Sequence, residues 1–86
     1  MINDVIVYSK AHCPYCDYAK QLLEMKKIKF IELRVDLDEK AFADMNAQTN
    51  NARTLPQIII ENKPIGGFTD LKELSDNGKL EHLINK

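Results

Sequence analysis

Cysteine is nearly missing from this sequence: two occur among 86 residues. That excludes a small scaffold stapled by several disulfides and leaves the fold to be held by a hydrophobic core. Tryptophan is absent, glycine and proline number three each, and no internal repeat, linker or low-complexity stretch interrupts the chain. Neither sign of charge dominates. Twelve Lys and Arg against thirteen Asp and Glu leave a formal net charge of −1, without the basic excess of a nucleic-acid binder. No apolar run approaches the ~20 residues of a membrane-spanning helix. Only two histidines are present. With no second cysteine pair, and with His12 adjacent to Cys13, the ligand spacing of a structural zinc site is missing, and no metal is expected. Met1-Ile2-Asn3-Asp4 lacks a positive segment followed by an apolar stretch and a small-residue cleavage site, so no secretory leader is expected. At this length the expectation is one domain over residues 1–86. An unexported chain with two cysteines points to a reducing, cytoplasmic compartment and to cysteines used for chemistry.

What is present centres on those two cysteines, in Cys13-Pro14-Tyr15-Cys16. They follow a short apolar run, Val5-Ile6-Val7-Tyr8, and precede a helical pattern, which is the setting of a redox motif. Backbone N–H groups at a helix start lack intrahelical partners and favour negative charge. A cysteine placed there has a lowered pKa, and its thiolate is the attacking species in thiol–disulfide exchange. Pro14 suits a first helical position. Ala19, Leu22 and Leu23 recur at helical spacing, and Cys16, three residues before Ala19, shares their inward face. Cys13, at the helix entrance, is expected to be solvent-accessible. An exposed nucleophile, Cys13, and a sheltered second thiol, Cys16, follow. A pair of small core residues is the bland alternative.

Along the chain, Val5–Tyr8 reads as a buried strand and Pro14–Met25 as a helix, with Asp17 in its first turn, Lys26 and Lys27 in its last, and Lys20 paired with Glu24. Ile31, Leu33 and Val35 alternate with Glu32 and Arg34 as a second strand. Asp38 caps a second helix with Phe42 and Met45 on its inner face and Ala41 beside them, ending at Asn50-Asn51. Gln57–Ile60 is strand-like, Asn62 marks a turn, and Pro64-Ile65 forms an edge strand. Asp70 and Glu73 resemble a capping box with aspartate as the cap. Leu71 and Leu74 continue that helix, Gly78 ends it, and Leu80, Leu83 and Ile84 suggest one further short helix. The order is β-α-β-α-β-β-α. The first two strands should be parallel with a right-handed crossover and the last two an antiparallel hairpin. The expected fold is α/β: a mixed four-stranded sheet flanked by helices on both faces, the layout of a thioredoxin-like domain.

Over nearly its whole length the chain resembles a classical dithiol glutaredoxin. Cys13-Pro14-Tyr15-Cys16 matches that family's active-site tetrapeptide. Thr54-Leu55-Pro56-Gln57 resembles its threonine-hydrophobic-proline motif, and Gly66-Gly67-Phe68-Thr69-Asp70 its glycine-pair motif. The resemblance implies a cis peptide bond before Pro56, aiming the Leu55 backbone at a bound cysteinyl peptide; read alone, Pro56 merely opens a strand. It implies a glutathione site. Asp70 meets the γ-glutamyl ammonium, the N–H groups of Thr69 and Asp70 hold its carboxylate, Lys10 and Gln57 contact the glycyl carboxylate, and Gly67 allows close approach of backbone to ligand. Tyr15 shields the site. Arg53 is a weaker candidate for the same glycyl carboxylate. Each has a plainer alternative: Asp70 as a helix cap, Lys10 and Arg53 as surface charges, Gly66-Gly67 as a turn, Tyr15 as a surface aromatic. His12 carries little weight as an activator, being mostly neutral at pH 7, and His82 is expected at the surface.

The implied function is glutathione-dependent thiol–disulfide exchange through Cys13 and Cys16. Glutathione serves as reductant and co-substrate, and no cofactor is tightly bound. Expected partners are glutathionylated or disulfide-containing proteins, with ribonucleotide reductase a family-level candidate, and the chain is expected as a monomer. Two other readings compete: a thioredoxin-like reductant independent of glutathione, and an iron–sulfur module bridging two subunits, which Pro14 disfavours because cluster binders of the family usually carry a smaller residue there.

Overall fold

In the computed structural model residues 5–84 are described; Met1–Asp4, read above for a leader, and residues 85–86 lie outside them. The elements run β1 (Val5–Ser9), α1 (Pro14–Met25), β2 (Ile31–Arg34), α2 (Glu39–Thr49), β3 (Gln57–Ile60), β4 (Lys63–Gly66), α3 (Phe68–Asp76) and α4 (Lys79–Ile84). The sheet order is β2-β1-β3-β4, with β1 parallel to β2 and antiparallel to β3, and β3 antiparallel to β4.

The central strands read as unbroken apolar runs because both their faces are covered. Val5, Val7, Ile58 and Ile60 face one way and form a core with Ala19 and Leu23 of α1, Leu71 of α3, and Leu80 and Ile84 of α4. Tyr8 and Ile59 face the other way and pack with Met45 of α2, joined by half-buried Ile6, Leu33, Val35 and Leu55. Helices therefore cover both faces. Pro64 sits on the edge strand β4, where its missing N–H interrupts no ladder. The β3–β4 turn places Glu61 and Asn62 at φ 49° and 69°, the two positive angles of a tight two-residue hairpin.

Several local expectations are corrected by tertiary packing. Phe42 is not on the inner face of α2; it is half exposed, and Ala41 and Met45 alone are buried there. Ile31 lies exposed on the edge strand β2. Lys20 pairs not with Glu24 but with Glu32 across to β2, at 2.9 Å. Lys26 and Lys27 fall past the last helical residue of α1, and Lys26 reaches Glu81 of α4 at 2.9 Å. Helix α3 starts at Phe68, so Gly67 is its N-cap and Asp70 is the third helical residue. The extended Gly67 (φ −94°, ψ −163°) leaves its N–H free for the Asp70 carboxylate, which accepts it at 3.0 Å. Asp70 is thus the acid of the box and not its cap. Gly78 follows the end of α3 at φ +79°.

Candidate active site

The cysteine motif is fixed by the junction of β1 and α1. Cys13 is the N-cap in extended geometry (φ −123°) and Pro14 the first helical residue. The first α1 bond runs from Asp17 N–H to Cys13 O at 3.1 Å. Cys13 Sγ accepts the backbone N–H of Cys16 at 3.2 Å. A sulfur there meets an otherwise unpaired helix N-terminal donor, a setting that favours negative charge. Cys13 and Cys16 are joined as a disulfide, with Cα atoms 5.2 Å apart. The expectation of an open Cys13 is corrected in this state. With the disulfide formed it is 8% exposed and Cys16 1%. The order of accessibility is the expected one.

The loop that enters β3, at the same end of the sheet as the C-terminus of β1, borders the sulfurs. Leu55 O lies 3.9 Å from Cys13 Sγ, and the Leu55–Pro56 peptide bond is cis. Pro56 is buried, and a Cβ added to Gly67 would stand 3.4 Å from Pro56 O. The third boundary is the start of α3, where the N–H groups of Phe68, Thr69 and Asp70 precede the first intrahelical bond, Leu71 N–H to Gly67 O at 3.1 Å. These walls enclose a groove of about 300 Å³ lined by Tyr15, Thr54, Leu55, Pro56, Gly67, Phe68 and Thr69. It combines an extended backbone, whose Leu55 O is the atom 3.9 Å from Cys13 Sγ, with a helix N-terminus that favours anions.

The expected site residues are distributed as follows. Tyr15, Thr54, Leu55, Pro56, Gly67 and Thr69 share the groove lining. Asp70 stands at its α3 wall with one carboxylate oxygen on Gly67 N–H. Gln57 is 6% exposed, and its amide Nε2 donates to Thr54 O (2.8 Å) and Thr54 Oγ1 (3.1 Å), so it braces the loop before Pro56. Lys10, on the β1–α1 loop, and Arg53 are exposed and outside the groove lining. Sequence reasoning passed over Phe68 as a lining residue; its position directly after two glycines, at a helix start, was the available signal. Asp36 was passed over too. Its carboxylate accepts Arg34 Nε (2.7 Å) and Nη2 (2.6 Å) and the N–H of Ala11 (3.1 Å), tying down the loop that leads to Cys13. The Arg34 guanidinium, with the Ala11 N–H, holds the Asp36 carboxyl well below the usual carboxylate range. Among the described residues no group of three or more His, Cys, Asp or Glu is placed to hold a metal.

Beneath the motif, buried Ser9 donates its hydroxyl to Glu32 Oε2 at 2.6 Å, and Lys20 donates to the same oxygen. The Ser9 hydroxyl and the Lys20 ammonium lower the Glu32 pKa. A carboxyl whose folded-state pKa lies below its unfolded one stabilises the fold above the unfolded value, about 4.3, and that contribution is lost as pH falls through the folded value. Glu32→Gln is therefore expected to narrow the difference in unfolding free energy, measured by urea titration, between pH 7 and pH 3 by no more than about 1 kcal/mol for so exposed a pair. An unchanged difference would show that Glu32 does not couple folding to protons.

The pattern of a helix-capping cysteine, a cis-proline loop and a glycine-led helix start can be set against known proteins. The glutaredoxin family model matches residues 5–65. The chain belongs to the glutaredoxin family. A glutaredoxin from Neisseria meningitidis serogroup A is 44% identical over 85 residues, 98% of this chain and 99% of the relative. The solution structure of a glutaredoxin from Brucella melitensis superposes with a TM-score of 0.80 at 39% identity, covering 98% of this chain and 89% of that one. The crystal structure of a buckwheat glutaredoxin–glutathione complex superposes with a TM-score of 0.84 at 28% identity, covering 96% and 77%. The fold is thioredoxin-like, and Cys13–Cys16 is the redox-active pair of this thiol oxidoreductase family.

Proposed function

We propose that this glutaredoxin is a glutathione-dependent thiol–disulfide oxidoreductase acting on glutathione mixed disulfides and on protein disulfides. The observation that carries the reading is the groove beside Cys13, bounded by the Leu55–Pro56 backbone and the N-terminus of α3. An extended cysteinyl tripeptide fits such a groove chemically. Its cysteine pairs with the Leu55 backbone, its γ-glutamyl carboxylate takes the N–H groups of Thr69 and Asp70, and its ammonium takes the free oxygen of Asp70. Lys10, exposed on the β1–α1 loop, supplies a cation for the glycyl carboxylate. The buckwheat relative with glutathione bound supports the choice of ligand.

In the first cycle the Cys13 thiolate attacks the glutathione sulfur of RS–SG. The R–S bond breaks, RS⁻ leaves and takes up a proton, and Cys13–SG remains. A second glutathione, as thiolate, attacks that disulfide, releasing oxidised glutathione and the Cys13 thiolate. With a protein disulfide, Cys13 forms a mixed disulfide and the Cys16 thiolate attacks Cys13 Sγ, which releases the reduced substrate and leaves the Cys13–Cys16 bond. Two glutathiones then reduce that bond. Cys16 is the buried partner, poised at the sulfur but closed to external substrates.

Coupled assays decide between glutathione and a flavoprotein reductase as electron source. Oxidation of NADPH with glutathione and glutathione reductase, on the mixed disulfide of glutathione and 2-mercaptoethanol, is expected to exceed turnover with thioredoxin reductase by about 100-fold. Equal rates, or turnover only with thioredoxin reductase, would refute glutathione dependence.

A further inference from the structure

The aromatic surface beside Cys13 extends past the groove. Tyr15 and Phe68, which line it, stack with ring centres 6.0 Å apart and planes at 29°. A third ring, Tyr18, lies on α1 outside the groove lining. Its centre is 5.9 Å from Tyr15, edge-on at 78°, and 5.8 Å from Phe68. The three rings form a triangle bridging α1 and α3, yet it is not covered: Tyr15 is 58% and Tyr18 49% exposed. Beside Tyr18, the Asp17 side chain is 64% exposed, and its ion pair with Lys20 is a loose 3.6 Å because Glu32 holds the same ammonium at 2.9 Å. Exposed electron-rich ring faces suit a cation, and the poorly neutralised Asp17 carboxylate, one residue before Tyr18 in α1 but turned toward Lys20, adds negative potential near them. One residue of extended chain spans about 3.3 Å. Tyr18 stands five residues past the capping Cys13, about 7.5 Å along the helix axis, a distance that one or two extended residues and a long side chain span.

We propose that Tyr18, with Asp17 beside it, is a specificity-determining site for polypeptide substrates, taking a Lys or Arg side chain that flanks the reactive cysteine. The inference rests on disulfide substrates entering by the groove next to Cys13, and it does not depend on which molecule later reduces the enzyme. Small disulfides end before this patch and do not sense it.

Single-turnover reduction of disulfide-linked peptide dimers by the pre-reduced protein tests this without glutathione. The reaction balances as one enzyme dithiol and one peptide disulfide giving the Cys13–Cys16 disulfide and two peptide thiols. Peptides of one length carry Lys, Leu or Glu next to cysteine, and bis(2-hydroxyethyl) disulfide is the small substrate. Each rate is divided by that of dithiothreitol on the same disulfide, which removes intrinsic reactivity. The wild type should prefer the Lys peptide over the Glu peptide by about fivefold. Tyr18→Ala should remove most of that preference while leaving the small disulfide unchanged. Tyr18→Phe should keep it, and Asp17→Asn should reduce it together with its salt dependence. Equal wild-type rates on all three peptides would overturn the proposal. So would an equal loss on small and peptide substrates in Tyr18→Ala, the mark of a structural role. A Tyr18-dependent preference for Leu would assign the patch to apolar partners and refute the cationic one. Failure of glutathione dependence would appear only in the coupled assay.

Discussion

Cys13→Ser is expected to lower turnover of every disulfide substrate by at least about 10³-fold, whereas Cys16→Ser should keep deglutathionylation within about threefold and lose protein-disulfide reduction. The asymmetry follows from position. Cys13 Sγ occupies the helix cap, accepts the Cys16 N–H at 3.2 Å and borders the groove loop at Leu55 O. A serine there has the same hydrogen bond but no ionised nucleophile at neutral pH. Cys16 faces the core from the first turn of α1 and is almost fully buried, so its chemistry is confined to the neighbouring sulfur. A glutathione mixed disulfide on Cys13 can be cleared by a second glutathione; a protein mixed disulfide relies on Cys16 to resolve it. The two variants, run on a glutathionylated peptide and on a disulfide-bonded protein, separate the cycles. Equal losses in both variants on both substrates would contradict the division of labour.

Gly66→Ala is expected to destabilise the fold by about 2–4 kcal/mol, lowering Tm by about 10–20 °C. Gly66 has φ +116°, and a Cβ there would run into the Asp70 carboxylate. The alanine would carry a backbone conformation that side chains resist and would push Asp70 off the Gly67 N–H, unfastening the start of α3. Gly78→Ala supplies the comparison. Its φ is +79°, but nothing lies within 4 Å of the added Cβ, so only the left-handed backbone cost of about 1–2 kcal/mol remains. Thermal melts of both variants give the ranking; equal losses would show that contact with Asp70 adds nothing to backbone strain.

Much of this architecture is legible in the chain because local and tertiary preferences agree. The runs Val5–Tyr8 and Gln57–Ile60 are unbroken since β1 and β3 are central, and Pro64 marks an edge that it does occupy. Cys13 before Pro14 announces a helix start, and the structure begins α1 there. What was not legible depends on partners distant in sequence. Lys20 has an acid one turn away, yet Glu32 on the neighbouring strand, already aligned by Ser9, holds it better. Phe42 has helical spacing with Met45, but Met45 makes the contact with the sheet and Ala41 is the other buried residue of α2. The start of α3 was misplaced by the choice of cap. A glycine offers no capping side chain, so the eye falls on Asp70, while the extended Gly67 leaves its own N–H for that acid. The groove draws on α1, the Pro56 loop and α3, and no local pattern announces that Phe68 and Tyr18 meet Tyr15. Only the resemblance to a family put the first and third of those segments in one site.

The central claim is that the reduced protein carries one ionised sulfur at the helix cap and one sheltered sulfur behind it. Alkylation of the reduced protein by iodoacetamide across pH, with each cysteine read by peptide mass, tests it most directly. Cys13 should be labelled first, with a midpoint well below the ~8.5 of a free thiol, and Cys16 should lag at every pH. Equal labelling rates, or a Cys13 midpoint at or above that of a free thiol, would contradict the account.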